Sequence, residues 1–119
     1  MPDTQPQFPE IDRLIHEPAR LAILTVLTSC RSADFTFLVN VTGLTKGNLS
    51  VQISRLEEAA LVKVEKTIRK KKTHTTISLT RQGTLAIDRY WKTIDALRKR
   101  AAVQPGGVPA TRKLAGSEA

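Results

Sequence analysis

Two helical patterns stand on either side of Gly43-Leu44-Thr45, and the shortness of that break restricts the fold more than any other feature of the chain. Phe35 to Val41 reads as a short helix, with Thr36 as its N-cap and Gly43 as its stop. Thr45 caps the next one, from Lys46 to Ala60, in which Leu49, Ile53, Leu56 and Ala60 recur at helical spacing. Helices joined this closely form a helix-turn-helix unit, with little freedom in how they cross.

The surroundings of that unit follow from changes in period. Upstream, Ile11 to His16 reads as a short helical segment closed by Pro18, because a residue before proline avoids the α region. Pro18 opens the following helix, where its missing N–H is harmless. Ala19 to Ser29 is apolar on most faces, the mark of a central helix. Downstream of Leu61 the apolar period shortens from helical to alternating. Val62 to Ile68 and Thr75 to Leu79 read as paired strands. The tip between them, Arg69-Lys70-Lys71-Lys72-Thr73, has no Gly, Asn or Asp, so a longer mobile loop is predicted rather than a tight two-residue turn. Thr80 caps a last helix spanning 80–102. On it Ile87, Tyr90, Ile94, Leu97 and Ala101 follow a coiled-coil-like spacing, with Trp91 beside them. Residues 1–9, with three prolines, form a flexible arm; 10–103 form one domain; 104–119 read as a disordered tail.

Charge is unevenly spread. The whole chain carries a net charge of +8, yet residues 62–81 hold seven basic residues against Glu65 alone. A cationic concentration at one place in a fold points to a polyanion, most simply nucleic-acid phosphate. Other classes are disfavoured. The single cysteine, Cys30, rules out a disulfide framework or a cysteine cluster, and His16 and His74 have no ligand-spaced partners, so no metal is expected. No Gly-rich phosphate loop, nucleophile elbow or paired catalytic carboxylates occur, and Glu57-Glu58 reads as surface charge, so neither enzyme activity nor a cofactor is expected. The apolar stretch Leu21–Leu27 is too short for a membrane span, and the amino end lacks a secretory pattern. The expected setting is cytoplasmic, with no membrane contact.

Helix, helix, helix, strand, strand, helix is a mainly α winged helix of α+β type: a helix-turn-helix, a two-stranded β wing and a long C-terminal helix. The string Phe35, Leu38, Gly43-Leu44-Thr45, Gly47-Asn48-Leu49-Ser50, Ile53, Leu56-Glu57-Glu58-Ala59 and Val62, closed by Leu79-Thr80 and Gly83, resembles small bacterial and archaeal winged-helix transcriptional regulators of the MarR/ArsR type. The resemblance covers roughly residues 10–100. It departs from the family where Ala60 replaces a usual Gly and where the wing lacks its usual Gly. The paired cysteines of metal-sensing relatives are missing from the recognition region.

Projected around the Lys46–Ala60 helix, Gly47, Asn48, Val51, Ser54, Arg55 and Glu58 oppose the buried side. Lys46, Asn48, Val51, Gln52 and Arg55 are the candidates for base edges in a major groove, with Thr45 and Ser50 placed for phosphate. Lys66, Arg69, Lys70, Lys71, Lys72 and Thr73 are the wing candidates, for salt-dependent backbone contact. The apolar seam Ile87, Tyr90, Trp91, Ile94, Leu97 and Ala101, joined by Ile11, Leu14 and Ile15, is the expected dimer surface. These residues predict a sequence-specific double-stranded DNA binder acting as a homodimer on a pseudo-palindromic site. The resemblance implies a transcriptional regulator, most simply a repressor by occlusion, while no residue pattern identifies an effector. The rival readings are a non-sequence-specific architectural or chromatin-like DNA binder and a protein-interaction module. The latter class typically loses the basic wing that this chain keeps.

Overall fold

The computed structural model describes residues 10–108, so the arm expected at 1–9 and the tail from 109 onward lie outside the described residues. The elements are α1 (Pro18–Leu27), β1 (Ala33–Asp34), α2 (Phe35–Thr42), α3 (Lys46–Glu58), β2 (Val62–Arg69), β3 (Lys72–Leu79) and α4 (Arg81–Val103). This is a winged helix. Its core gathers Ile23, Leu24 and Leu27 of α1 with Leu38 of α2, Leu49, Ile53 and Leu56 of α3, Val62 and Ile77 of the sheet, and Ile87 and Tyr90 of α4. Each such large aliphatic group contributes about 1.5–3 kcal/mol by leaving water. α1 therefore holds the other helices in place as the central element its composition indicated.

Several local expectations are corrected. Ile11 to His16 forms turns rather than a helix. The Asp12 carboxylate accepts the N–H groups of Leu14 at 2.9 Å and Ile15 at 3.4 Å, which satisfies locally what a helix would otherwise bond. α2 is capped by Asp34, whose side chain accepts the Phe37 N–H at 2.7 Å, and not by Thr36. The reason is a third strand: Ala33 and Asp34 pair with Ile77 and Thr76, which holds Asp34 extended just before the helix. The wing thus belongs to a three-stranded antiparallel sheet of order β1-β3-β2.

The end of α3 also differs. The helix stops at Glu58, and Ala60 lies outside it, exposed, with φ 63°. The Ala60 N–H reaches the Glu57 carbonyl and the Leu61 N–H reaches the Leu56 carbonyl, both at 2.9 Å. This pair of bonds is a Schellman ending with alanine in the left-handed position that glycine normally takes. Leu61 then enters β2. At the same end of the sheet the Thr80 side chain caps α4 through the Gly83 N–H at 2.9 Å and donates to the Ala60 carbonyl at 2.6 Å.

α4 runs 23 residues. Its first half packs on the domain through Gly83, Ile87 and Tyr90. In its second half Asp95 pairs with Arg98 and with Lys99, at 3.1 Å for the latter. Hydrogen bonding by Arg98 first, then Lys99, holds the Asp95 carboxyl below its ordinary range. Among the described residues no helix is long and apolar enough to cross a membrane.

Candidate nucleic-acid interface

α3 is fixed by one face and free on another. Thr45 closes its N-terminus by accepting the Asn48 N–H at 3.0 Å, and Leu49, Ile53 and Leu56 are buried. Gly47, Val51, Ser54, Arg55 and Glu58 are exposed on the opposite side, with Val51 half accessible at 50%. Thr45, Lys46, Asn48 and Ser50 are exposed around the first turns. Among the described residues Arg55 pairs with no carboxylate, so its guanidinium is available to a ligand.

The two flanks of α3 differ. Ser50, Ser54 and Glu57 face the wing across an open groove of about 350 Å³ whose other wall is Val64, Lys66 and Thr75, with Phe35 and Ile53 also lining it. The hydroxyls of Ser50, Ser54 and Thr75 and the Lys66 ammonium are donors of the kind that fix the register of a phosphodiester strand without reading sequence, while the Glu57 carboxylate keeps such a strand to the Lys66 side of the groove. Thr75 and Phe35 carry no sequence signal for this place, and the pattern around Glu57 indicates only surface charge. On the other flank, Gln52 is half-buried and held at both ends of its amide. Its carbonyl oxygen accepts from Arg20 Nη1 at 2.7 Å, and its amide nitrogen donates to Asn48 Oδ1 at 3.0 Å.

The wing is longer and tighter than expected. β2 and β3 pair without interruption from Val62↔Leu79 to Arg69↔Lys72, leaving only Lys70 and Lys71 as the turn. Both have positive φ, 52° and 65°. The predicted mobile loop is therefore a two-residue turn of primed type, forced by the cross-strand register rather than by a turn-forming residue. Lys66, Arg69, Lys70, Lys71, Lys72 and Thr73 are all exposed. Lys63 is neutralised by Glu65 at 3.3 Å; among the described residues Lys66 and the four tip cations have no such partner. Ile68, on the same face as Lys66, is 76% exposed between them.

The seam divides. Ile15, Ile87 and Tyr90 are buried within this chain's own core, so they are already occupied in a single subunit. Ile11, Leu14 and Ile94 are half-buried against that core. Trp91 at 45% and Leu97 at 39% remain exposed, as does Ala101. The Tyr90 hydroxyl lies 2.8 Å from His16 Nδ1, and its ring meets Trp91 edge-on with centroids 5.0 Å apart.

Comparison with known proteins agrees with this geometry. A family model described as a winged helix DNA-binding domain matches residues 19–98. An uncharacterized protein of Methanocaldococcus jannaschii is 30% identical over 78 residues, which is 66% of this chain and 85% of the relative. The solved structure of a transcriptional regulator homologue from Pyrococcus horikoshii aligns with a TM-score of 0.70 at 30% identity, over 76% of this chain and 89% of that one. A MarR-family transcriptional regulator from Silicibacter pomeroyi aligns with a TM-score of 0.58 at 21% identity, over 77% and 62% respectively, a likeness of fold.

Proposed function

The chain belongs to the winged helix DNA-binding domain family, and from that premise we propose that it is a transcriptional regulator that binds double-stranded DNA sequence-specifically as a homodimer, repressing by occlusion. One observation carries the reading. The exposed face of α3 that carries Asn48, Val51 and Arg55 also carries Ser54, which lines a groove together with the wing cation Lys66, and among the described residues neither Arg55 nor Lys66 pairs with a carboxylate. A helix that offers donors and an apolar surface to base edges, next to cations for the adjoining backbone, is built for a major groove and its flanking phosphates.

Division of labour follows from chemistry. Arg55 suits guanine O6 and N7, and Val51 suits a thymine methyl. Ser50, Ser54, Lys66 and Thr75 take the strand that crosses the groove. Lys70, Lys71 and Lys72 add a sequence-independent attraction. Dimerisation is supported by the apolar surface that Leu97, Ala101 and Trp91 leave in water on α4. A two-fold pairing there would present two α3 helices to half-sites about one helical turn apart, roughly 34–36 Å.

Selection of bound sequences from random duplex DNA tests the reading. A pseudo-palindrome supports it. An unpatterned pool supports the architectural binder instead, the reading that the charge of the wing tip favours. No enrichment of duplex at all removes both.

A further inference from the structure

Arg20 stands on α1, 32 residues before Gln52, and its side chain is only 12% exposed. Its Nε donates to the Leu14 carbonyl at 2.6 Å, and its Nη1 donates to Gln52 Oε1 at 2.7 Å. Glu17 lies alongside, accepting the Arg20 backbone N–H at 2.9 Å and standing 3.9 Å from Nη1. Gln52 in turn donates through Nε2 to Asn48 Oδ1 at 3.0 Å, one turn back along α3.

The polarity of this chain of bonds has a single source. A guanidinium has donors and no acceptor, so Gln52 must turn its oxygen toward Arg20. Its nitrogen then faces Asn48, which must answer with its own oxygen. Asn48, exposed at the start of α3, is left with its two Nδ2 hydrogens as the group pointing away from the relay.

We infer that Arg20 is a specificity-determining positioning residue: through Gln52 it sets which end of the Asn48 amide meets the DNA, so that a donor is offered to acceptor edges. Guanine, with O6 and N7, is the base this end favours, and cytosine, with its N4 donor, is the one it rejects. The inference rests on the DNA-reading function proposed above. Arg20 also anchors the segment before α1 through Leu14, so the test must separate steering from anchoring.

Two variants do so, each read as the ratio of affinities for duplexes carrying guanine or cytosine at the position facing Asn48. In Arg20→Met the donor is gone and the amides are free to flip. The guanine preference, about tenfold in the unaltered protein as befits one good amide–base contact, should fall to within about twofold. In Gln52→Glu the carboxylate accepts from both neighbours, which turns Asn48 over and leaves its oxygen outward. The preference should then invert toward cytosine. The added negative charge lowers affinity for every duplex, but the ratio is insensitive to that. This variant keeps the Arg20 anchor, so it decides the matter even where Arg20→Met weakens the fold.

A guanine preference unchanged in both variants overturns the inference while leaving the regulator reading intact, with Arg20 acting only as an anchor. Unaltered protein that binds all duplexes equally overturns both.

Discussion

Lys70 and Lys71 adopt the left-handed backbone conformation side by side, with φ 52° and 65°, at the tip of the wing. Each non-glycine residue held there costs about 1–2 kcal/mol relative to its relaxed conformation. The turn therefore trades hairpin stability for an unbroken run of cations from Arg69 to Lys72. Replacing the pair by Lys70→Asn with Lys71→Gly should raise the urea midpoint with little change in slope, a gain of about 1–2 kcal/mol. The same change should flatten the salt dependence of DNA binding by about 0.9 in log K per log salt for each phosphate that the tip no longer neutralises. A gain in stability with an unchanged salt slope would show that the tip does not touch phosphate.

A methyl group on Gly83 would overlap the carbonyl of Leu61, a backbone group that has no rotamer to escape into. Gly83→Ala should therefore push the first turn of α4 off the root of the wing and destabilise the domain by about 1–3 kcal/mol or more. Thermal unfolding measures this; a melting temperature equal to that of the unaltered protein would mean that the close packing of α4 on Leu61 is wrong.

The opposite sign is expected one turn away in space. Ala60 occupies the left-handed position of the Schellman ending at φ 63°. Ala60→Gly should stabilise by about 1 kcal/mol, seen as a rise of about 4–8 °C in the melting temperature of a domain this size. DNA affinity should stay the same, because Ala60 lies beyond the end of α3 and is not among the proposed DNA contacts on its exposed face.

For the dimer, the divided seam makes two substitutions on one helix behave differently. Leu97 is 39% exposed and Ile87 only 2%. Leu97→Asp should give a folded monomer by sedimentation and circular dichroism, with much weaker binding to a full site. Ile87→Asp should not fold. Unaltered protein that sediments as a monomer at micromolar concentration would end the dimer proposal.

Long-period features of the fold are legible because they repeat. The 3-4 spacing of Leu49, Ile53 and Leu56 and the alternation at Val62 and Val64 are averages over several residues, and both elements form where the pattern places them. What escapes has no local repeat. β1 is two residues long, too short for alternation, and exists because Ile77 and Thr76 offer it an edge. The primed turn is imposed on Lys70 and Lys71 by the strands they join, and nothing in lysine announces it. The seam of α4 looks uniform in sequence, yet Ile87 and Tyr90 are consumed by the core while Leu97 is not, because the helix outruns the domain it packs on. Within the candidate site, the outward placement of Val51 and Arg55 follows from helical geometry alone. The inward turn of Gln52 does not, since its partner Arg20 sits on a different helix.

Leu61 is the point at which three elements meet. It gives its N–H to Leu56 at the end of α3, its carbonyl to the Thr80 N–H at 3.0 Å, and its backbone surface to Gly83 at the start of α4, while its own chain continues directly into β2. Only Ala59 and Ala60, both hydrogen-bonded back to α3, stand between that helix and Leu61, and only Thr80 between β3 and α4. The start of α4 is therefore seated on the same residue that fixes the end of α3 and the root of the wing, as two arms are keyed to one shaft. In a paired molecule the distance and tilt between the two reading heads would be inherited from the angle at which the α4 helices cross.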